Sequence, residues 1–194
     1  MPQFFATLAS RTPILRVSLV EKYFMIGAVL AASVGAVTDV RSARIPNWLT
    51  YSSLLLALCV RGVLSGLPGL GRGVVGVVVA GGFFFFLFLL GAMGGGDVKL
   101  MAAVGAWVGS ELVVTMLIAA AMAGGVLAVL YTLFGRRVRQ TLWNLLELIR
   151  FRLTSGLRPH PVLNVGEASS VRVPFGLAIA MAAVYCAEQS VFWR

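Results

Sequence analysis

Residues 112–134 read LVVTMLIAAAMAGGVLAVLYTLF, a run without one charged side chain. About 20 apolar residues, rising 1.5 Å each, cross the roughly 30 Å hydrocarbon layer of a bilayer. Lipid offers no partner to a backbone N–H or C=O, so such a run must be a helix that satisfies its own polar groups. Working outward, Tyr23–Thr38, Trp48–Leu64, Gly73–Met93, Leu100–Val108 and Val173–Trp193 are further apolar stretches. The expectation is an all-α, polytopic integral membrane protein with about six transmembrane helices.

Composition agrees. The chain has 194 residues, of which 59% are hydrophobic and 12% charged, and its mean hydropathy is +0.94. Soluble domains carry about 25% charged residues, so an ordinary soluble domain is excluded. One membrane domain is expected over 23–194, after an interfacial segment 1–22 in which Pro13 breaks any long helix. Val34-Gly35-Ala36 gives the first span a cleavage-like site, but the spans that follow suit an anchor better. The connector 65–72, rich in Gly and Pro, and Gly109-Ser110-Glu111 are read as breaks between spans. The run Phe83 to Phe86 is expected to face lipid.

Sixteen Lys and Arg against seven Asp and Glu give a formal charge of +9. In a membrane chain this excess sets orientation and meets anionic lipid, so lipid is the expected partner and nucleic acid is not. Much of it lies in 135–172, where Arg136, Arg137, Arg139, Arg150 and Arg152 surround Val138, Leu142, Leu145, Leu146, Ile149 and Leu153. Apolar residues at three- and four-residue steps there predict a basic amphipathic helix at the interface. Six spans leave ten Lys and Arg on the side of Asp39 and six on the other, which puts Asp39 at the cytoplasmic face. His160, between two prolines, has no second ligand nearby in sequence and receives no role. Cys59 and Cys186 form no CxxC pair, and no metal site or cofactor is expected.

Only two aspartates occur, Asp39 at the end of span one and Asp97 at the start of span four. Two crossings, spans two and three, separate them, which returns both to one face at one depth. Acids in apolar surroundings are costly and usually have work to do. Two carboxylates that meet suit aspartyl hydrolysis: one draws a proton from water while the other, protonated, polarises a scissile carbonyl. Gly94, Gly95 and Gly96 precede Asp97, and their lack of a Cβ allows close backbone approach. Plainer readings stand beside this one: Asp97 caps its helix, and Asp39 pairs with Arg41 or Arg44 in solvent.

At these residues the chain resembles the type IV prepilin leader peptidases, and specifically their small Tad/Cpa-type branch. Asp39 with Arg44-Ile45-Pro46-Asn47 and Leu49 is one matching segment. Gly94-Gly95-Gly96-Asp97-Val98-Lys99-Leu100 resembles the family's GxGD signature, and Val173-Pro174-Phe175-Gly176-Leu177-Ala178 its entry to the last span. The resemblance implies that Asp39 and Asp97 are the catalytic pair. It implies a membrane aspartyl endopeptidase that removes the short basic leader of type IV (Flp-like) prepilins at the cytoplasmic face of the bacterial inner membrane.

The implied partners are a membrane-inserted prepilin-like substrate and the pilus assembly machinery. Larger members add a domain with paired CxxC motifs and N-methyltransferase activity; this chain lacks those motifs, so peptidase activity alone is expected. Gly94, Gly95, Gly96, Lys99, Arg44, Asn47, Pro174 and Gly176 are motif residues near the expected substrate path. Lys99 either lends positive potential to a carboxylate or snorkels to lipid phosphate. Arg44 and Asn47 either orient the first loop or substrate, or cap a helix and touch lipid. Two other functions are compatible with the same residues: a non-enzymatic carrier or assembly subunit that binds protons or ions, and a GxGD protease with other helical substrates.

Overall fold

The computed structural model describes residues 2–134 and 174–192. Four helices account for nearly all of them: α1 (Pro2–Ser42), α2 (Asn47–Leu89), α3 (Gly95–Phe134) and α4 (Phe175–Phe192). No strand occurs among the described residues. Val20–Ser42, Asn47–Leu89 and Gly95–Tyr131 are long and apolar enough to cross a membrane, and Phe175–Ser190 is a shorter apolar helix. The chain is therefore an all-helical membrane protein.

Six separate membrane helices were expected, and the described residues form four. The reason lies at two glycines. Gly66 (φ 63°, ψ −160°) and Gly109 (φ 75°, ψ −177°) adopt a backbone conformation essentially restricted to glycine. At Gly66 the chain doubles back. A Cβ on Gly73 would lie 3.0 Å from Leu58 and 2.9 Å from Arg61, whereas a straight helix would hold residues 58 and 73 about 22 Å apart. Pro68 then occupies the first turn of the returning leg, where its missing N–H has no partner to lose.

Gly109 does the same in α3. Before it, Leu100 packs on Gly35 and Trp107 on Gly27; after it, Met116 meets Cys186 and Gly124 meets Phe175 at the start of α4. The second leg of α3 thus runs back toward the end of the bundle that holds Asp39. Both expected breaks, 65–72 and 109–111, fall at these reversals, which need no intervening loop.

Small residues let the legs approach. The backbones of Gly76 and Gly105 touch across α2 and α3, which no side chain would permit. Around this contact Ala28, Ala32, Ala57, Ala80, Ala106 and Ala183 are buried among Leu100, Met101, Val104 and Ile179. Of the phenylalanine run expected to face lipid, Phe83, Phe85 and Phe86 point outward. Phe84 turns in, 2% exposed, with its ring 5.7 Å from that of Phe175.

The amino-terminal expectation needs correction. Pro13 does not end a helix: α1 runs continuously from Pro2 through it to Ser42. The basic segment 135–172, with His160, lies outside the described residues.

Candidate active site

Asp39 sits one turn before the end of α1. Its Oδ2 accepts a hydrogen bond of 2.9 Å from the N–H of Gly176, in the first turn of α4. The first N–H groups of a helix have no partner within it and carry the positive end of its dipole, so they suit a carboxylate. A Cβ on Gly176 would stand 3.0 Å from Asp39 Cβ and 3.2 Å from Ala36 Cα. Glycine is needed there for close approach. Pro174 opens the helix, its carbonyl accepting from Leu177 N–H.

Asp97 lies in the first turn of α3, with its N–H donating to the Gly94 carbonyl at 3.1 Å. Asp97 is thus the third residue of α3, inside the helix rather than at its cap position, at the end where the helix dipole favours an acid. The register between α1 and α3 decides where the two acids stand. Trp107 packs on Gly27 and Leu100 on Gly35, so the helices run antiparallel along one seam. Asp39 follows Gly35 by four residues and Asp97 precedes Leu100 by three, steps that stay on one helix face. At 1.5 Å per residue the two carboxylate-bearing positions fall within about 2 Å of the same level, on facing sides.

Gly96 serves the same seam: a Cβ there would press 3.3 Å from Ile45, in the connector after α1. Gly95 lies against Phe88, and a Cβ on Gly94 would come 3.3 Å from Asp97 Oδ2. Lys99 takes neither expected role outright. Its Nζ donates to Asn47 Oδ1 at 2.9 Å and lies 5.4 Å from the centre of the Tyr51 ring. Arg44 is exposed, and its carbonyl accepts from Ser42 Oγ. Asp39, given Arg41 or Arg44 as a partner in the plainer reading, is held instead by Gly176. Among the described residues no three His, Cys, Asp or Glu side chains converge as metal ligands.

A model of the type IV leader peptidase family matches residues 24–129, more than half of the chain. The chain belongs to the type IV leader peptidase family. It is accordingly a membrane protease, and the matched stretch contains Asp39, the connector 43–46 and Asp97. Pro174 and Gly176, which complete the peptidase's contact to Asp39, lie beyond it. No curated protein and no solved structure matches the chain.

One buried group of this leader peptidase escaped the sequence reading. Arg61, counted there only among the six Lys and Arg on the side away from Asp39, is 4% exposed. Its Nη2 donates to the Trp107 carbonyl at 2.7 Å, its guanidinium lies 4.3 Å from the Phe24 ring, and its Nε has no protein partner. It belongs to the end of the bundle away from Asp39, since Gly27, beside Trp107, is about 18 Å along α1 from Asp39. A charge inside the apolar stretch 48–64 was the available signal. Nearby, Arg72 and Glu111, one from each reversal, pair at 3.1 Å.

Proposed function

We propose that the chain is an aspartyl endopeptidase that removes the short basic leader of a prepilin-like, Flp-type precursor, with Asp39 and Asp97 as its catalytic pair. The observation that carries this reading is the register of α1 and α3, which sets the two acids at one level on facing sides. One carboxylate takes a proton from water as the water oxygen bonds to the scissile carbonyl carbon. The other, protonated, donates to the carbonyl oxygen, and the tetrahedral intermediate collapses as its C–N bond breaks and a proton passes to the leaving amine. The Gly176 N–H makes Oδ2 of Asp39 an acceptor and so orients the carboxyl group.

Six crossings follow in this reading if each leg of α2 and α3 spans the bilayer, with the acids at the cytoplasmic face of the inner membrane. Burial of Arg61 supports that orientation. It removes one residue from the opposite side, leaving ten Lys and Arg against five.

The test is co-expression with short pilin precursors, following leader removal by gel shift and mass spectrometry beside Asp39→Asn and Asp97→Asn variants that still insert. Loss of cleavage in both variants is expected. Cleavage that survives in either removes the aspartyl mechanism, and a wild-type chain that cuts no precursor returns the reading to a protease of other helical substrates or a carrier.

A further inference from the structure

Lys99 follows Asp97 by two residues, which turns it about 200° around α3, so the two side chains leave opposite sides of the helix. Asp97 faces α1 and Lys99 faces α2. There the Lys99 ammonium donates to the amide oxygen of Asn47 at 2.9 Å and lies over the ring of Tyr51, one turn further along the same helix. The amide is neutral, so this contact is a charge-assisted hydrogen bond that holds position without cancelling the lysine's charge.

Asn47 is the first residue of α2. Behind it runs the connector 43–46, which carries the chain from the end of α1, just past Asp39, to α2. The connector is held at three points. Ala43 turns it with φ at 51°, a left-handed conformation unusual for a residue with a Cβ. Ser42 Oγ bonds the carbonyls of Thr38 and Arg44 at 2.7 and 3.2 Å. Ile45 lies on Gly96, where an added Cβ would press it at 3.3 Å.

We propose that Lys99 is a positioning residue: through Asn47 it clasps the connector 43–46 over the first turn of α3, and so holds the turn that carries Asp97 against the helix that carries Asp39. In this role Lys99 works by position and not by contact with substrate. It acts through one hydrogen bond between residues 52 positions apart, and Tyr51 keeps its ammonium from swinging out to lipid phosphate. This inference rests on the peptidase reading for its kinetic consequence, but the clasp itself can be measured without a substrate.

The experiment compares Lys99→Met, Asn47→Leu, the double variant and Lys99→Arg in membranes at matched abundance. Each single change is expected to lower kcat about tenfold with KM within about twofold, because a small misplacement of a reacting group costs rate rather than affinity. The double variant is expected to be no worse than either single one, and Lys99→Arg to recover most of the rate. Hydrogen exchange at the amides of residues 43–50 should quicken in Lys99→Met. Losses that multiply in the double variant, or that fall on KM, would show that Lys99 meets substrate or lipid on its own account. Unchanged exchange at 43–50 would overturn the clasp. If the wild-type chain cuts no precursor, the peptidase reading fails while exchange still decides the clasp.

Discussion

The N–H of Gly176 meets Oδ2 of Asp39 at 2.9 Å, a bond between residues 137 positions apart that ties the last helix to the first acid. Everything that orients this carboxylate from the α4 side passes through a residue without a Cβ. Replacing Gly176 by Ala puts a methyl 3.0 Å from Asp39 Cβ and 3.2 Å from its Oδ2. The expected outcome is loss of cleavage by about 100-fold, as a displacement near 1 Å costs a positioned catalytic group. Insertion should be unaffected. Leader removal measured in membranes, with abundance checked by immunoblot, decides it; near-wild-type cleavage would mean that the contact positions nothing.

Arg61 gives a prediction about stability. Arg61→Ala removes the donor to the Trp107 carbonyl and opens a cavity beside Phe24, for an expected loss of about 3 kcal/mol. Arg61→Met should cost less than Arg61→Ala. It refills most of the volume and removes a guanidinium whose Nε is buried without a protein partner. Thermal unfolding in detergent ranks the two, and an equal or reversed ranking would mean that the charge itself, rather than its packing, carries the effect.

The glycines separate into two kinds. Gly109 needs its positive φ, and a Cβ there would lie 2.5 Å from Arg61 Nη2, so Gly109→Ala should destabilise by at least about 1–3 kcal/mol. Gly62 and Gly71 are helical, with open space where a Cβ would go. Alanine at either should stabilise by about 0.4–1 kcal/mol through the unfolded chain. Thermal unfolding of the three variants checks the contrast, and a neutral Gly109→Ala would count against the reversal.

Trp107 joins three helices: its ring packs on Gly27, its Nε1 donates to Ser53 Oγ at 3.0 Å, and its carbonyl takes Arg61. Trp107→Phe keeps most of the ring and orphans the buried Ser53 hydroxyl, for an expected loss of about 1 kcal/mol. Because Trp107 sets the register that brings Asp39 level with Asp97, the same variant should also slow cleavage. A stability loss without a rate loss would uncouple that end of the seam from the acids.

The sequence made the level of the two acids legible, since a count of apolar stretches is enough to return Asp39 and Asp97 to one face. The reversals were legible too, because Gly66 and Gly109 are each flanked by polar or helix-breaking residues. What the sequence hid is which side of each helix turns inward. Helices that are apolar all round carry no periodic signal of facing, so Phe84 could not be told from Phe83. The bond between Lys99 and Asn47 was hidden for the same reason. It depends on the rotation of α3 against α2, which is set by the contact of Gly76 with Gly105 and not by any feature near Lys99.

The reversal at Gly66 also orders events during synthesis. Arg61 and both legs of α2 are synthesised before Trp107, so the guanidinium exists ahead of the carbonyl that will receive it. Glu111, which pairs with Arg72 from the first tip, arrives later still. The first hairpin is thus made with Arg61 and Arg72 at its tip before the second supplies the Trp107 carbonyl and Glu111. Assembly of the pair is a step that nascent-chain truncations before and after residue 111 would separate.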